Sequence, residues 1–247
     1  MQKSTCLSHI SINADLGEGM GNDKELMPYL DLCNIACGGH FGDQKTISET
    51  MDCAIKHKVK MGAHPAYPDT ENFGRSSLDM NLHDLLNSLT TQIQLVYDVA
   101  KSKNSVVHHI KPHGALYHDV AKNSTTATIF IKAVEELKVK PKIVLPFRAK
   151  TISLFTTHFD VIREAFIDRR YDQELNLVSR QSENGVIFDM KEAYLQLLCM
   201  VNNNTIKTTA GSMEKMEAET FCIHGDHPNA LNILKYIHKE LKNDTEK

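Results

Sequence analysis

Side chains able to move protons or hold anions gather in short runs beside glycine or proline. Asp15 and Glu18 stand three residues apart in Asn13-Ala14-Asp15-Leu16-Gly17-Glu18-Gly19. If that turn opens a helix, the two carboxylates share a face. Asp15 then serves as general base or metal ligand with Glu18 as its partner, or the pair forms a capping box. His40 and Asp43 follow Gly38-Gly39, a spacing that suits an imidazole acid/base oriented by a carboxylate, while Asp43 also fits the cap of the next helix. His64 precedes Pro65, which restrains its backbone to extended geometry; it is a site residue or a satisfied core histidine. Lys111 and His113 flank Pro112. Lys111 can meet a phosphate or carboxylate, or extend to solvent, and His113 can donate a proton. Arg169 can hold a carboxylate bidentately, or pair structurally with Asp168. His224 and Asp226 suit ligand contact or closure of the fold.

Asp15, His40, His64 and His113 are also suitable ligands for a divalent metal, although no HExxH and no compact His-x3–5-His pair accompanies them. Cys33 and Cys37 with His40 imitate zinc spacing. On a strand, however, the two cysteines lie roughly 13 Å apart, so they read as small buried hydrophobes. No GxxxxGKS or GxxxxGKT occurs and no strand leads into GxGxxG, so a nucleotide would need partner subunits or an unusual site.

These runs need elements that bring them together. Apolar residues recur at helical spacing over about 43–57, 82–102 and 125–137, around 194–201, and over about 230–241. Asp43 caps the first of these and Asp79 stands just ahead of the second. Strand-like runs occupy 8–13, 33–37, 59–63, 106–111, 142–145, 161–166 and 220–224. Alternating strands and helices predict a parallel, buried sheet, and seven strands in 247 residues is the scale of a (β/α) barrel in the α/β class. With no linker or low-complexity stretch, one domain over 1–247 is expected. Six strands run into His, Asp, Glu, Lys or Arg beside Gly or Pro, and in a parallel barrel those ends share one rim. The formal net charge is −3 with charges interspersed, which gives no footprint for nucleic acid or for a membrane surface. With no signal-like or spanning segment and six scattered cysteines, the reading is a cytoplasmic protein with reduced thiols.

Seven ordered stretches carry a resemblance: 13–21 (NADLGEGMG), 34–43 (NIACGGHFGD), 62–69 (GAHPAYPD), 73–75 (FGR), 111–117 (KPHGALY), 164–171 (EAFIDRRY) and 224–226 (HGD). Together they resemble the LamB/YcsF family, whose members act as the A component of the bacterial ATP-dependent 5-oxoprolinase. The resemblance implies an irregular seven-stranded barrel similar to polysaccharide deacetylases. It implies hydrolysis of 5-oxo-L-proline to L-glutamate with ATP going to ADP and phosphate, run with two partners, the 5-oxoprolinase subunits B and C. It also favours a divalent metal. Phosphorylation of the lactam oxygen would create a leaving group, after which water adds to the ring carbon. On this reading Asp15, Glu18, His40, His64, Lys111 and His113 carry catalysis. Asn13, Asp43, Arg75, Asp168, Arg169, Tyr171, His224 and Asp226 contact the substrate. The alternatives are a metal-dependent deacetylase or amidohydrolase acting on a sugar or small amide, and a non-catalytic binding subunit.

Overall fold

The computed structural model describes residues 10–245. Seven parallel strands close into a barrel: β1 (Ile12–Leu16), β2 (Leu32–Ala36), β3 (Lys60–His64), β4 (Val107–Ile110), β5 (Lys142–Pro146), β6 (Val161–Phe166) and β9 (Thr220–Ile223). β9 pairs with both β1 and β6 and so completes the ring. A two-stranded antiparallel ribbon, β7 (Thr205–Lys207) with β8 (Met213–Lys215), precedes β9. Around the barrel lie α1 (Asp23–Leu26), α2 (Gln44–His57), α3 (Leu82–Ser102), α4 (Gly114–Lys122), α5 (Ser124–Glu136), α6 (Ile152–Thr156), α7 (Met190–Asn203) and α8 (Ala230–Thr245). None of these helices is long and apolar enough to cross a membrane.

The expected α/β barrel class is therefore present, with seven strands in the expected order. Each long helix buries the apolar stripe that its spacing announces, such as Ile47, Met51 and Ala54 in α2, or Leu85, Leu89, Ile93 and Val96 in α3. Fully burying such side chains contributes about 1.5–3 kcal/mol each. Asp43 caps α2 in a reciprocal capping box with Thr46. The cap of α3 is Asn81, which accepts from the His83 amide, in place of Asp79.

The first strand departs from expectation. The apolar run places it over 8–13, of which residues 8 and 9 lie outside the described residues; it runs instead through Asp15. The reason is visible in its neighbours. Asn13 and Asp15 hydrogen-bond across the barrel interior, while Ile12, Ala14 and Leu16 join the apolar core. The apolar run ends where the interior becomes polar, although the strand continues. The same polar pattern recurs on β2 with Asn34, on β4 with His109 and on β6 with Glu164, all buried. Most parallel barrels fill this space with branched apolar side chains.

Two features make a polar interior possible. Gly62 on β3 leaves the room that His109 occupies: a Cβ there would collide with the His109 ring at Nε2. Next to it, the β3–β4 register shifts, Met61 pairing Val107 and Gly62 pairing His109. At the closing seam, Asp168 beyond β6 accepts from the amide and the Nδ1 of His224 beyond β9, at 3.0 and 2.9 Å. Burial opposes the Asp168 charge, but His224 outweighs it and holds the carboxyl down at about 2.

Gly62→Ala should cost about 1–3 kcal/mol through overpacking against His109, read as a melting point several degrees lower; an unchanged value would place His109 elsewhere. Asp168→Asn tests the seam. A carboxyl whose folded pKa lies below its unfolded one stabilises above about pH 4 and loses that contribution as pH falls toward 2. The variant should be less stable than the parent by about 2 kcal/mol at pH 7, and the gap should close between pH 4 and pH 2 in thermal denaturation. A gap independent of pH would remove the ion pair as its cause.

Candidate active site

The barrel floor is a ladder of amides and imidazole. Asn34 donates to Asn13 Oδ1 at 2.9 Å and to Asp15 Oδ1 at 2.8 Å, and its own oxygen lies 2.7 Å from His109 Nε2. Asn13 in turn donates to Thr220 at 3.0 Å. Above this floor sits Lys111, only 2 % exposed. Its Nζ lies 2.9 Å from Asp15 Oδ1, 2.9 Å from Glu164 Oε1 and 3.2 Å from Cys222 Sγ. Glu164 Oε2 accepts from Tyr117 at 2.6 Å. Burial alone would drive Lys111 toward neutrality, but Asp15, Cys222 and Glu164 raise its pKa well above the usual lysine value. Burial likewise opposes the Asp15 charge, and His64 and Lys111 overcome it to hold Asp15 well below the carboxylate range.

A tier of three imidazoles lies above. His64, at the end of β3, donates from Nδ1 to the Lys111 carbonyl at 2.8 Å. His113, the N-cap of α4, donates from Nε2 to the Phe73 carbonyl at 3.0 Å. A carbonyl can only accept, so each of these ring nitrogens carries the hydrogen. That leaves His64 Nε2 and His113 Nδ1 facing one another at 2.9 Å. His40 stacks on His113 with centroids 3.6 Å apart and meets Glu18 Oε1 at 2.9 Å. Burial pushes His40 down to about 4 against the pull of Glu18, and lowers His113 as well. Glu18 is held far below the carboxylate range, the burial penalty being outweighed by His113 and His40 beside it. The segment Phe73-Gly74-Arg75 roofs the tier. The Phe73 ring meets His40 and His113 edge-on, and Gly74, at φ +63, passes where a Cβ would lie 3.0 Å from the His40 Cβ.

The site opens into a cavity of about 400 Å³ lined by Asp15, Glu18, His64, Lys111 and His113 at its base and by Arg75, Arg169 and Arg180 toward its mouth. Asp226 takes hydrogen bonds from both Arg75 and Arg180. Arg169 spends its Nε on the Gly185 carbonyl and one Nη on the Val178 carbonyl, which secures the loop that carries Arg180. Two groups bring ligand atoms close enough to hold a metal ion: Asp15, His64 and His113, and Glu18, His40 and His113.

Most of the expected residues thus meet in one place, with particular corrections. Asp15 lies on a strand and Glu18 in the bend after it, so they share no helix face and form no capping box; Asp23 takes the Gly17 amide instead. The carboxylate beside His40 is Glu18, while Asp43 is an exposed cap outside the cavity lining. Lys111 does not reach solvent. Asn13 lies in the floor, and Asp168 pairs with His224, not Arg169. Tyr171 faces a neighbouring cavity of about 240 Å³ and accepts the Phe166 amide. Cys33 and Cys37 are buried free thiols, as expected; burial raises both. Asn34, His109, Glu164, Tyr117 and Arg180 belong to the site without having been expected there. Polar side chains within otherwise apolar strand runs are the available signal for the first three; Arg180 sits in an irregular loop with none.

The chain is 35% identical over 244 residues to the A subunit of 5-oxoprolinase from Shouchella clausii (strain KSM-K16), covering 96% of each. It is 34% identical over 239 residues to the A subunit of 5-oxoprolinase from Vibrio cholerae serotype O1 (strain M66-2), covering 94% of this chain and 97% of the relative. Its structure is similar to the crystal structure of a lactam utilization protein from Thermus thermophilus, with TM-score 0.88, 29% identity and coverage of 96% and 97%. The LamB/YcsF family model matches residues 10–247, and the chain belongs to that family.

Proposed function

We propose that this chain is the A subunit of an ATP-dependent 5-oxoprolinase, opening 5-oxo-L-proline to L-glutamate in the cytoplasm as ATP goes to ADP and phosphate, together with subunits B and C. The observation that carries the reading is the stacking of three kinds of group in one cavity: a buried ammonium between two carboxylates, a cluster of converging imidazole and carboxylate acceptors, and arginines at the mouth. A lactam that carries its own carboxylate matches that order, with the arginines meeting the carboxylate and the ring carbonyl reaching the base.

The chemistry follows from the charges. A five-membered lactam is a stable amide that re-forms readily, so opening it requires activation. Phosphorylating the lactam oxygen at the expense of ATP activates the ring carbon: water adds there, the C–N bond breaks as the nitrogen takes a proton, and a second water releases phosphate from the acyl phosphate so formed. With no P-loop in the chain, the nucleotide falls to the partner subunits. Water among His64 Nε2, His113 Nδ1, Asp15 Oδ2 and Glu18 Oε1 meets only acceptors, so its hydrogens are drawn off and its oxygen is turned toward the ring carbon. Asp15 is too weak a base to take that proton itself, because the Lys111 ammonium at 2.9 Å stabilises its charge. Its work is to hold Lys111. The Lys111 ammonium remains charged and stabilises negative charge as it develops on the tetrahedral centre.

The same acceptor cluster favours a second reading, metal-dependent hydrolysis of a small amide without ATP. One assay separates the two. The purified chain alone should release little glutamate from 5-oxoproline, and adding subunits B and C with ATP should give glutamate stoichiometric with ADP. Asp15→Asn and His64→Ala should each reduce that release by about 100-fold or more. Amide hydrolysis by the chain alone, indifferent to ATP, would select the second reading. Undiminished glutamate from both variants would make the chain a binding component without chemistry of its own.

A further inference from the structure

With both imidazoles neutral, four acceptor atoms at the cavity base have no hydrogen between them. The Lys111 and Phe73 carbonyls take the Nδ1 hydrogen of His64 and the Nε2 hydrogen of His113. The bare nitrogens that remain, His64 Nε2 and His113 Nδ1, are 2.9 Å apart. Asp15 Oδ2 lies 3.4 Å from His64 Nε2, and Glu18 Oε1 lies 3.3 Å from His113 Nδ1 and 3.9 Å from His64 Nε2. The Asp15 oxygens divide their work: Oδ1 takes Lys111 and Asn34, while Oδ2 faces the imidazoles. Lone pairs aimed at one another at these distances repel, and all four residues are buried. A positive centre among them removes the repulsion. Ring hydrogens donated to backbone carbonyls are also what fixes a histidine to present its other nitrogen to a metal.

We propose that this cluster is a transition-metal site in which His64 Nε2, His113 Nδ1 and Asp15 Oδ2 ligate one zinc-like divalent cation, with Glu18 and His40 forming the shell behind them. Two imidazoles and one carboxylate select zinc or cobalt over magnesium or calcium. Three protein ligands leave a fourth position for water, the arrangement of a catalytic site. His40 is not a ligand: its Nε2 is committed to Glu18 Oε1, and its ring stacks flat on His113. This places the ion where the proposed function puts the attacking water, and it lowers that water's pKa. Glu18 lies outside the ligand set, with Oε1 3.3 Å from His113 Nδ1.

The assignment deepens the proposed function but is tested without substrate, ATP or partner subunits, so either can fail alone. The full chain is stripped with a chelator and titrated with zinc alone, with metal content measured after dialysis and cobalt(II) used as a spectroscopic probe. One zinc per chain is expected, with the strong visible absorption of tetrahedral cobalt on substitution and a raised melting temperature. His64→Ala and His113→Ala should lose stoichiometric zinc. His40→Ala should keep it with about 10–100-fold weaker affinity, as expected for a group behind the ligands. Circular dichroism establishes that each variant is folded, and the cobalt spectrum of the unmodified chain decides the matter if one is not. No zinc or cobalt uptake by the unmodified chain at neutral pH would overturn the site, as would equal uptake by His113→Ala. Loss of zinc from His40→Ala as complete as from His113→Ala would overturn the ligand assignment.

Discussion

Lys111 places a full positive charge in the middle of a closed barrel, and much of the surrounding structure exists to make that tolerable. An isolated ammonium moved out of water costs several kcal/mol or more after relaxation. Asp15 and Glu164, reaching it from β1 and β6 at 2.9 Å, supply the compensating charge. Each carboxylate then needs its own partners. Asn34 holds the far side of Asp15, and Tyr117 holds Glu164. Below them, Asn34 is braced by Asn13 and His109, and Asn13 by Thr220. One buried charge therefore propagates into a network that touches β1, β2, β4, β6 and β9. Such a network specifies a unique interior when every member is satisfied.

This explains which parts of the molecule were legible in the sequence. The helices were, because α2, α3, α5, α7 and α8 each face the barrel with a continuous apolar stripe at the 3.6-residue period. The strands were legible as short runs, and the glycine and proline beside them marked the rim. What escaped was the interior. Asn34 and Glu164 read as strand residues with no stated role, since a polar residue inside a strand run carries no signature of the partner it will meet across the barrel. Their partners are set by closure of the ring, which brings β9 beside β1 although more than 200 residues separate them. α4 was missed because His113, Gly114 and Tyr117 stand out as a motif, while the apolar face of Ala115, Leu116, Val120 and Ala121 begins within that motif.

The two levels of the site answer to different demands. At the base, side chains are buried, ionised and saturated with partners, and their positions follow from strand register. At the mouth, Arg75 and Arg180 share a single carboxylate, Asp226, and Arg180 rides on a loop secured by the contacts of Arg169 to backbone carbonyls. Two guanidiniums on one carboxylate leave excess positive charge and spare donors facing the cavity. An anionic ligand can take up those donors without dismantling the base. Affinity and chemistry are thereby separated in space, as expected where binding groups sit on loops and reacting groups on strands.

The link between the levels is the pair of backbone carbonyls that set the imidazole tautomers. Lys111 contributes both to the charge beneath the tier and, through its carbonyl, to the hydrogen on His64 Nδ1. The Phe73 carbonyl does the same for His113 from the segment that continues into Arg75 at the mouth. Neutral histidine offers one donor and one acceptor, and which nitrogen plays which part is decided by the hydrogen bond at the other. Here both choices are made by main-chain atoms that the fold holds in place, so the basic nitrogens point inward whatever the side chains around them do. The local sequences Lys111-Pro112-His113 and Phe73-Gly74-Arg75 thus act through their backbones as much as through their side chains, and that is why their residue types announced chemistry without revealing its geometry.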